Sequence, residues 1–119
     1  MSPNRFPQRV FGQGTEPDPR FTLANERTFL AWIRTALALL AGGVAVQALN
    51  LHLVDWVRVT VIAVLLALGV ITPIYAWISW MRTELALRLN RPLPGPSLAL
   101  MLSVGLTFIG LLVMLGLLL

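Results

Sequence analysis

The sequence predicts an all-α membrane protein with three transmembrane helices, and three observations support this fold class. Of the 119 residues, 57% are hydrophobic and only 12% are charged, which is too apolar for a soluble domain of this size. Three apolar segments, at about 29–51, 57–80 and 97–119, can each cross a hydrocarbon core of about 30 Å. Charged residues and prolines separate these segments, so we expect a helical bundle within a bilayer.

The first 21 residues predict a flexible tail in front of the membrane domain. Four prolines, two glycines and scattered charges occur there without apolar periodicity. No continuous apolar stretch like that of a signal peptide follows Met1, so the first transmembrane helix is expected to act as the insertion signal. The chain therefore divides into a tail (1–21) and a three-helix transmembrane domain (22–119), whose first helix begins at an N-cap of either Thr22 or Asp18.

The placement of arginine predicts the orientation of the helices. Five arginines precede or open the first span and three lie between the second and third spans, whereas the loop between the first two spans has only Arg58 beside Asp55. Because positive residues favour the cytoplasmic side, we expect a cytoplasmic N-terminus and a C-terminus outside. Trp56 then falls at the outer surface and the other three tryptophans at the cytoplasmic surface, where indole rings prefer to lie.

The link MRTELALRLNRPLPGP, residues 81–96, predicts that the second helix continues about two turns beyond the membrane. Glu84 and Arg88 are four residues apart and are expected to pair on this extension. The three prolines near its end are expected to stop the helix. Arg82, Arg88 and Arg91 of the same link are expected to attract anionic lipid headgroups.

Arg27 and Arg34 are the candidate functional residues of the first helix. They are seven residues apart, so they lie on one helical stripe about 10 Å apart along the axis, with Glu26 on its flank. Arg34 falls about one turn inside the membrane. Two interpretations stay open. The side chain can reach back to the headgroups, or both arginines face a bundle interior or a water-filled path, because exposing one to lipid costs about 2.5–3.5 kcal/mol.

Two further groups of residues extend this candidate site. Thr28, Thr35 and Gly42 form a stripe of small residues at the same spacing, which predicts close helix packing against either the same chain or another copy. Arg82 ends the second span at the same cytoplasmic level and is expected to join the two arginines of the first helix in one basic cluster.

No pattern in the sequence indicates an enzyme, a metal site or a cofactor. Cysteine is absent, and the five acidic residues form no carboxylate pair or metal-ligand cluster. No nucleophile stands beside a base, and no glycine loop is placed to bind phosphate. The net charge of +4 follows from membrane topology, so nucleic acid is not an expected partner.

The stretch DPRFTLANERTFLAWIRTALALLAGG, residues 18–43, resembles the signature of the YidH-like small bacterial inner-membrane proteins, a family named only as a domain of unknown function. It is also similar to the membrane segment of the vacuolar transporter chaperone complex, which makes polyphosphate and moves it across a membrane. The core NERTFLAW carries the likeness, and YAWISWMR, residues 75–82, looks like the family's ending of the second span.

This resemblance implies a multi-pass protein of the bacterial inner membrane that forms a homo- or hetero-oligomer around a central path. Glu26, Arg27 and Arg34 match the charged motif and would form rings, with Arg82 as an addition. Such rings would bind an inorganic anion or polyphosphate and exclude cations. Because the chain has no soluble polymerase domain, the alternative is a non-transporting membrane scaffold or accessory subunit, in which Glu26 and the arginines form ion pairs between subunits.

Overall fold

Three long helices and one short helix make up the described part of the chain. The computed structural model describes residues 6–119, and expectations for residues 1–5 of the tail lie outside that range. The helices are α1 (Gln8–Phe11), α2 (Pro19–Ala48), α3 (Asp55–Arg88) and α4 (Ser97–Leu118). By length and composition α2, α3 and α4 can each cross a membrane, in agreement with the three predicted spans.

Asp18 caps the N-terminus of α2. Its carboxylate accepts a hydrogen bond from the backbone N–H of Arg20 at 2.9 Å, and Pro19 occupies the first helical position, where no helical hydrogen bond is lost. The side chain of Arg20, followed by its backbone N–H, holds the pKa of Asp18 below its ordinary value. Of the two expected N-caps, Asp18 is therefore the one used, and α2 begins before Thr22.

The three long helices form a row in which α3 lies between α2 and α4. Their short connections make consecutive helices antiparallel. Within residues 6–119, no close approach of the backbones joins α2 to α4, and the overall dimensions are 62 × 24 × 20 Å. The side of α2 that faces away from α3 is therefore uncovered in a single chain.

The contact between α2 and α3 depends on a stripe of α2 that repeats every three or four residues. Gly43 of α2 and Gly69 of α3 let the helices approach closely, since a Cβ on Gly69 would lie 2.6 Å from Cδ2 of Leu40. A Cβ on Gly43 would lie 2.8 Å from Cδ2 of Leu66. The buried members of the α2 stripe are Asn25, Ala36, Leu39 and Gly43.

The opposite side of α3 packs against α4 and completes the apolar core. Leu68 lies over Gly105, and Val57 lies over Gly116 near the C-terminus. Burial of these side chains supplies the main packing between the two helices. The core residues are Leu39, Val57, Val61, Leu65, Leu68, Ala76, Leu98, Leu102 and Ile109.

Part of the expected flexible tail is packed on the end of α3. The side chains of Val10 and Phe11 are buried, and the Phe11 ring lies 6.0 Å from the ring of Trp80. The sequence predicts a flexible tail over residues 1–21, and the packing of Val10 and Phe11 differs from that prediction. Two adjacent apolar residues are too few to give a periodic signal, which is why composition alone predicts a tail here.

Candidate functional site

The side of α2 that faces away from α3 carries arginine and alanine beside large apolar residues, and the exposed apolar residues there include Leu23, Leu30 and Leu37. Arg27 and Arg34 are exposed and lie about 160–180° around the helix from the buried Ala36, at about 100° per residue. Small residues continue this surface along the helix. We call it the arginine face, and it comprises Arg27 and Arg34 with the exposed residues Ala31, Ala38, Ala41 and Ala48.

The two arginines of the arginine face and the neighbouring Glu26 have no partner in the described part of the chain. Glu26, Arg27 and Arg34 are exposed and make no side-chain hydrogen bond or ion pair with residues 6–119. If the last 20 or so residues of α2 cross the hydrocarbon, the span begins near Phe29, and Arg34 lies about 7 Å inside it. Two guanidinium groups on one stripe are thus available to bind oxyanions, and each can do so with two parallel hydrogen bonds.

The small-residue stripe borders the arginine face and takes little part in the packing of α2 on α3. The hydroxyls of Thr28 and Thr35 each donate to the carbonyl four residues earlier on α2, at 3.1 Å. A Cβ on Gly42 would lie at an ordinary 3.8 Å from Leu65, whereas close contact occurs at Gly43. The stripe therefore lies along the edge of the α2–α3 contact, where Thr28 lines a groove with Ser79 and Thr83 of α3.

Arg82 lies on a different side of the molecule from Arg27 and Arg34. Its exposed side chain lines three grooves together with residues of α1, α3, the 89–96 loop and the start of α4, and no residue of α2 borders them. One chain therefore does not bring Arg82 into the basic cluster that the sequence predicts.

Arg88 is the most extensively bonded side chain at the end of α3. Its Nε donates to the carbonyl of Gln13 at 2.7 Å, its Nη2 donates to the carbonyl of Phe11 at 3.0 Å, and its Nη1 donates to Oε1 of Glu16 at 3.1 Å. The guanidinium also lies 5.4 Å from the centre of the Phe11 ring. Arg88 thus holds the N-terminal segment on α3 and is not available to a lipid headgroup.

The expected ion pair between Glu84 and Arg88 does not form. Glu84 is fully buried, and its Oε2 accepts a hydrogen bond from the hydroxyl of Thr22 at 3.0 Å. Its Oε1 has no hydrogen-bond partner. The prediction was wrong because a spacing of four residues brings the two side chains together only when neither is drawn to another element.

A second polar contact joins α2 to α3 near Glu84. Asn25 is buried, and its Nδ2 donates to the carbonyl of Trp80 at 3.1 Å. The sequence holds a signal for both polar contacts, because Thr22 and Asn25 fall on the same three-and-four spacing as the apolar stripe of α2. Polar residues on that spacing predict buried partners across the helix contact.

The site offers the guanidinium groups of its arginines and a surface of small residues on α2. It offers no metal centre in the part of the chain that the structure describes. Between residues 6 and 119, no group of three or more histidine, cysteine, aspartate or glutamate side chains could hold a metal ion.

Known proteins match most of this chain. A family described as a domain of unknown function, DUF202, matches residues 20–86, which include α2 with its arginine face and most of α3. The inner membrane protein YidH of Escherichia coli K12 is 44% identical over 103 residues, covering 85% of this chain and 89% of that protein. The uncharacterized protein Rv2272 of Mycobacterium tuberculosis H37Rv is 45% identical over 96 residues, covering 80% of this chain and 79% of that protein. No solved structure matches significantly.

Proposed function

The chain belongs to the DUF202 family, and from this premise we propose that it forms an oligomer whose copies turn their arginine faces toward a shared anion path. Three apolar helices and the inner-membrane relative make it a multi-pass protein of the bacterial inner membrane. The end that holds the start of α2 and the 89–96 loop, here called the arginine-rich end, lies in the cytoplasm, because positive residues are retained on that side.

The contrast between the uncovered sides of α2 and α4 supports assembly through α2. The exposed side of α4 carries bulky apolar residues such as Val104, Phe108 and Leu111, as expected of a surface in contact with lipid. The uncovered side of α2 also has exposed apolar residues, such as Leu30 and Leu37, but beside them it carries alanines and two arginines, whereas α4 has no charged residue. Small residues let membrane helices approach closely, so this face is suited to packing around an axis.

The depth of Arg34 supports a polar lining for the path. A charged residue within the hydrocarbon is expensive to expose to lipid, at about 2.5–3.5 kcal/mol, and such residues usually face a bundle interior or water. The uncovered position of Arg34, opposite the α2–α3 contact, means that only another copy or another protein can supply that interior. A ring of copies places Arg27 and Arg34 in two layers about 10 Å apart.

The chemistry of the lining indicates an oxyanion as the species that passes. Guanidinium groups bind phosphate-type oxygens by charge-assisted bidentate hydrogen bonds, and rings of positive charge exclude cations. Glu26, next to Arg27 and free of partners within residues 6–119, would orient an arginine of the adjacent copy by an ion pair. The family and the relatives name no cargo, so polyphosphate as a cargo rests on the resemblance of residues 18–43 to the vacuolar transporter chaperone segment.

Anion flux in liposomes tests this function. Liposomes with the wild-type chain are expected to release inorganic phosphate or short polyphosphate faster than empty liposomes, and Arg34→Gln is expected to slow that release at least ten-fold. Arg58→Gln is the matched control. Arg58 lies near the start of α3, at the opposite end of the molecule from the arginine-rich end, and it is ion-paired to Asp55 at 2.8 Å. Equal release from Arg34→Gln and wild type would contradict an arginine-lined path.

The scaffold alternative makes a different prediction in the same preparation. The exposed Glu26 beside Arg27 is also suited to an ion pair between subunits that carries no anion. A scaffold would form the same oligomer, show no flux above empty liposomes and lose its assembly on Glu26→Arg. Recovery of assembly by combining Glu26→Arg with Arg27→Glu would support that role.

A further inference from the structure

We propose that the groove around Arg82 binds the phosphate of an anionic phospholipid, with an acyl chain along the outer surface of α3. We call this surface the Arg82 groove, formed by Arg9, Arg82 and Arg91 with the apolar residues Ile78, Met81 and Leu85. This site is separate from the arginine face, and the case for it does not depend on an anion path.

Arg82 joins neighbouring grooves at the arginine-rich end. One groove of about 410 Å³ lies between α1 and α3 and includes Arg9 and Ile78. Another of about 240 Å³ lies between α3 and the 89–96 loop and includes Arg91 and Pro94. The larger volume falls within the range of ligand-binding clefts, about 300–1,000 Å³. Three arginines from three separate segments thus border two adjacent grooves, which share Arg82 and Leu85.

The charge of the Arg82 groove is uncompensated. Arg9, Arg82 and Arg91 are exposed and make no ion pair with residues 6–119. No acidic side chain lines any of the three grooves that Arg82 borders, and the nearby Glu84 is fully buried toward Thr22. An anion is therefore the ligand that complements the groove.

The apolar wall of the groove favours a lipid over a soluble anion. Ile78 and Met81 lie on α3 before Arg82, toward the membrane-spanning part of the helix. The stacked rings of Trp77 and Trp80, 5.1 Å apart, lie at the same level of α3, and tryptophan is enriched where hydrocarbon meets the headgroups. The groove thus presents arginine at headgroup level and apolar side chains below it, which fits an amphiphile.

The packing of the N-terminal segment changes which arginines take part. The sequence predicts headgroup binding by Arg82, Arg88 and Arg91, but Arg88 is buried and bonded to the N-terminal segment. The same packing brings Arg9 to the edge of the groove. Arg9 therefore replaces Arg88 in the lipid site.

Native mass spectrometry of the full-length chain in mild detergent tests this site. We expect the wild type to retain phosphatidylglycerol from an equal mixture with phosphatidylcholine. Each arginine near an anionic surface contributes about five-fold in affinity, so Arg82→Gln combined with Arg91→Gln should lose most of the retained lipid, and Arg9→Gln alone should lose about five-fold. Arg20→Gln is the matched control, because it removes an exposed arginine at the same end of the molecule from outside the groove.

Three results would overturn the lipid site. They are no preference of the wild type for phosphatidylglycerol, an equal loss of lipid in Arg20→Gln, and displacement of the lipid by millimolar inorganic phosphate or by polyphosphate. The last result would assign the groove to a soluble anion. Retention of lipid does not depend on anion flux. The lipid test can therefore fail while the flux test supports an arginine-lined path, and the flux test can fail while the lipid site holds.

Discussion

The guanidinium of Arg88 and the carboxylate of Glu16 lie 3.1 Å apart and join the last turn of α3 to the N-terminal segment. The Arg88 side chain is 1% exposed and that of Glu16 is 51% exposed, so the ion pair joins a buried guanidinium to a carboxylate at the surface. Backbone carbonyls of Phe11 and Gln13 accept from the same guanidinium. Arg88 therefore determines where the N-terminal segment lies and, through it, where Arg9 borders the Arg82 groove.

Replacing Arg88 with alanine should release the N-terminal segment. The change removes three donors from a buried site, and we expect a loss of about 2–4 kcal/mol of stability. Limited proteolysis within residues 7–18 and the melting temperature in detergent measure the effect. Arg88→Lys should recover only part of it, because an ammonium cannot match the planar fork of a guanidinium. A melting curve and cleavage pattern like those of the wild type would contradict the role of Arg88.

Gly14→Ala should loosen the same segment through the backbone. Gly14 has a φ of +62°, and a Cβ there would clash with the carbonyl oxygen of Arg88. We expect cleavage near this position to increase and stability to fall by roughly 1–3 kcal/mol. The control is Gly95→Ala, where a Cβ would meet nothing within 4 Å. Similar cleavage of the two variants would mean that the turn at Gly14 is not required.

Glu84→Gln should leave the fold intact or stabilise it. The amide keeps an oxygen to accept the hydroxyl of Thr22 and removes the charge from a buried carboxyl whose Oε1 has no partner. We expect the melting temperature to stay equal or to rise by an amount equivalent to about 1 kcal/mol. The exposed Glu26→Gln is the control for loss of one negative charge. A fall of several degrees confined to Glu84→Gln would show that the buried charge itself is needed.

Gly69→Val should force α2 away from α3. A Cβ at this position would lie 2.6 Å from Cδ2 of Leu40 and 3.2 Å from its backbone nitrogen, so rotation of the Leu40 side chain cannot relieve all of the overlap. We expect a lower melting temperature, with a loss of roughly 1–3 kcal/mol from overpacking. Gly110→Val on α4, where a Cβ would meet nothing within 4 Å, should melt like the wild type. The same melting temperature for both variants would contradict the close helix contact.

The helices could be predicted from the sequence because each rests on a local signal. Long apolar runs predict the three spans, and Asp18 with Pro19 is one of the two predicted starts of α2. The extension of α3 by about two turns is also predicted, and the helix ends at Arg88. The end of α2 differs slightly, since the helix stops at Ala48 and the chain turns near Asn50, which has a φ of +33°.

The contacts at the arginine-rich end could not be predicted because they join distant parts of the chain. Arg88 bonds residues more than 70 positions earlier, and Glu84 meets Thr22 across 62 positions. Local spacing favoured a pair between Glu84 and Arg88, and the tertiary contacts outweighed it. The same limit applies to Arg82, whose place along α3 was clear from the sequence while its direction away from α2 was not.

Thiol labelling at Ala38 tests the central claim most directly, because the chain has no cysteine. Ala38 lies on the arginine face, four residues and about 6 Å beyond Arg34. If the face lines a wet anion path, Ala38→Cys in membranes should react with a water-soluble thiol reagent, faster with an anionic than with a cationic one. Val104→Cys on the exposed side of α4 should not react. An Ala38→Cys variant as inert as Val104→Cys would place the arginine face against lipid and contradict the path.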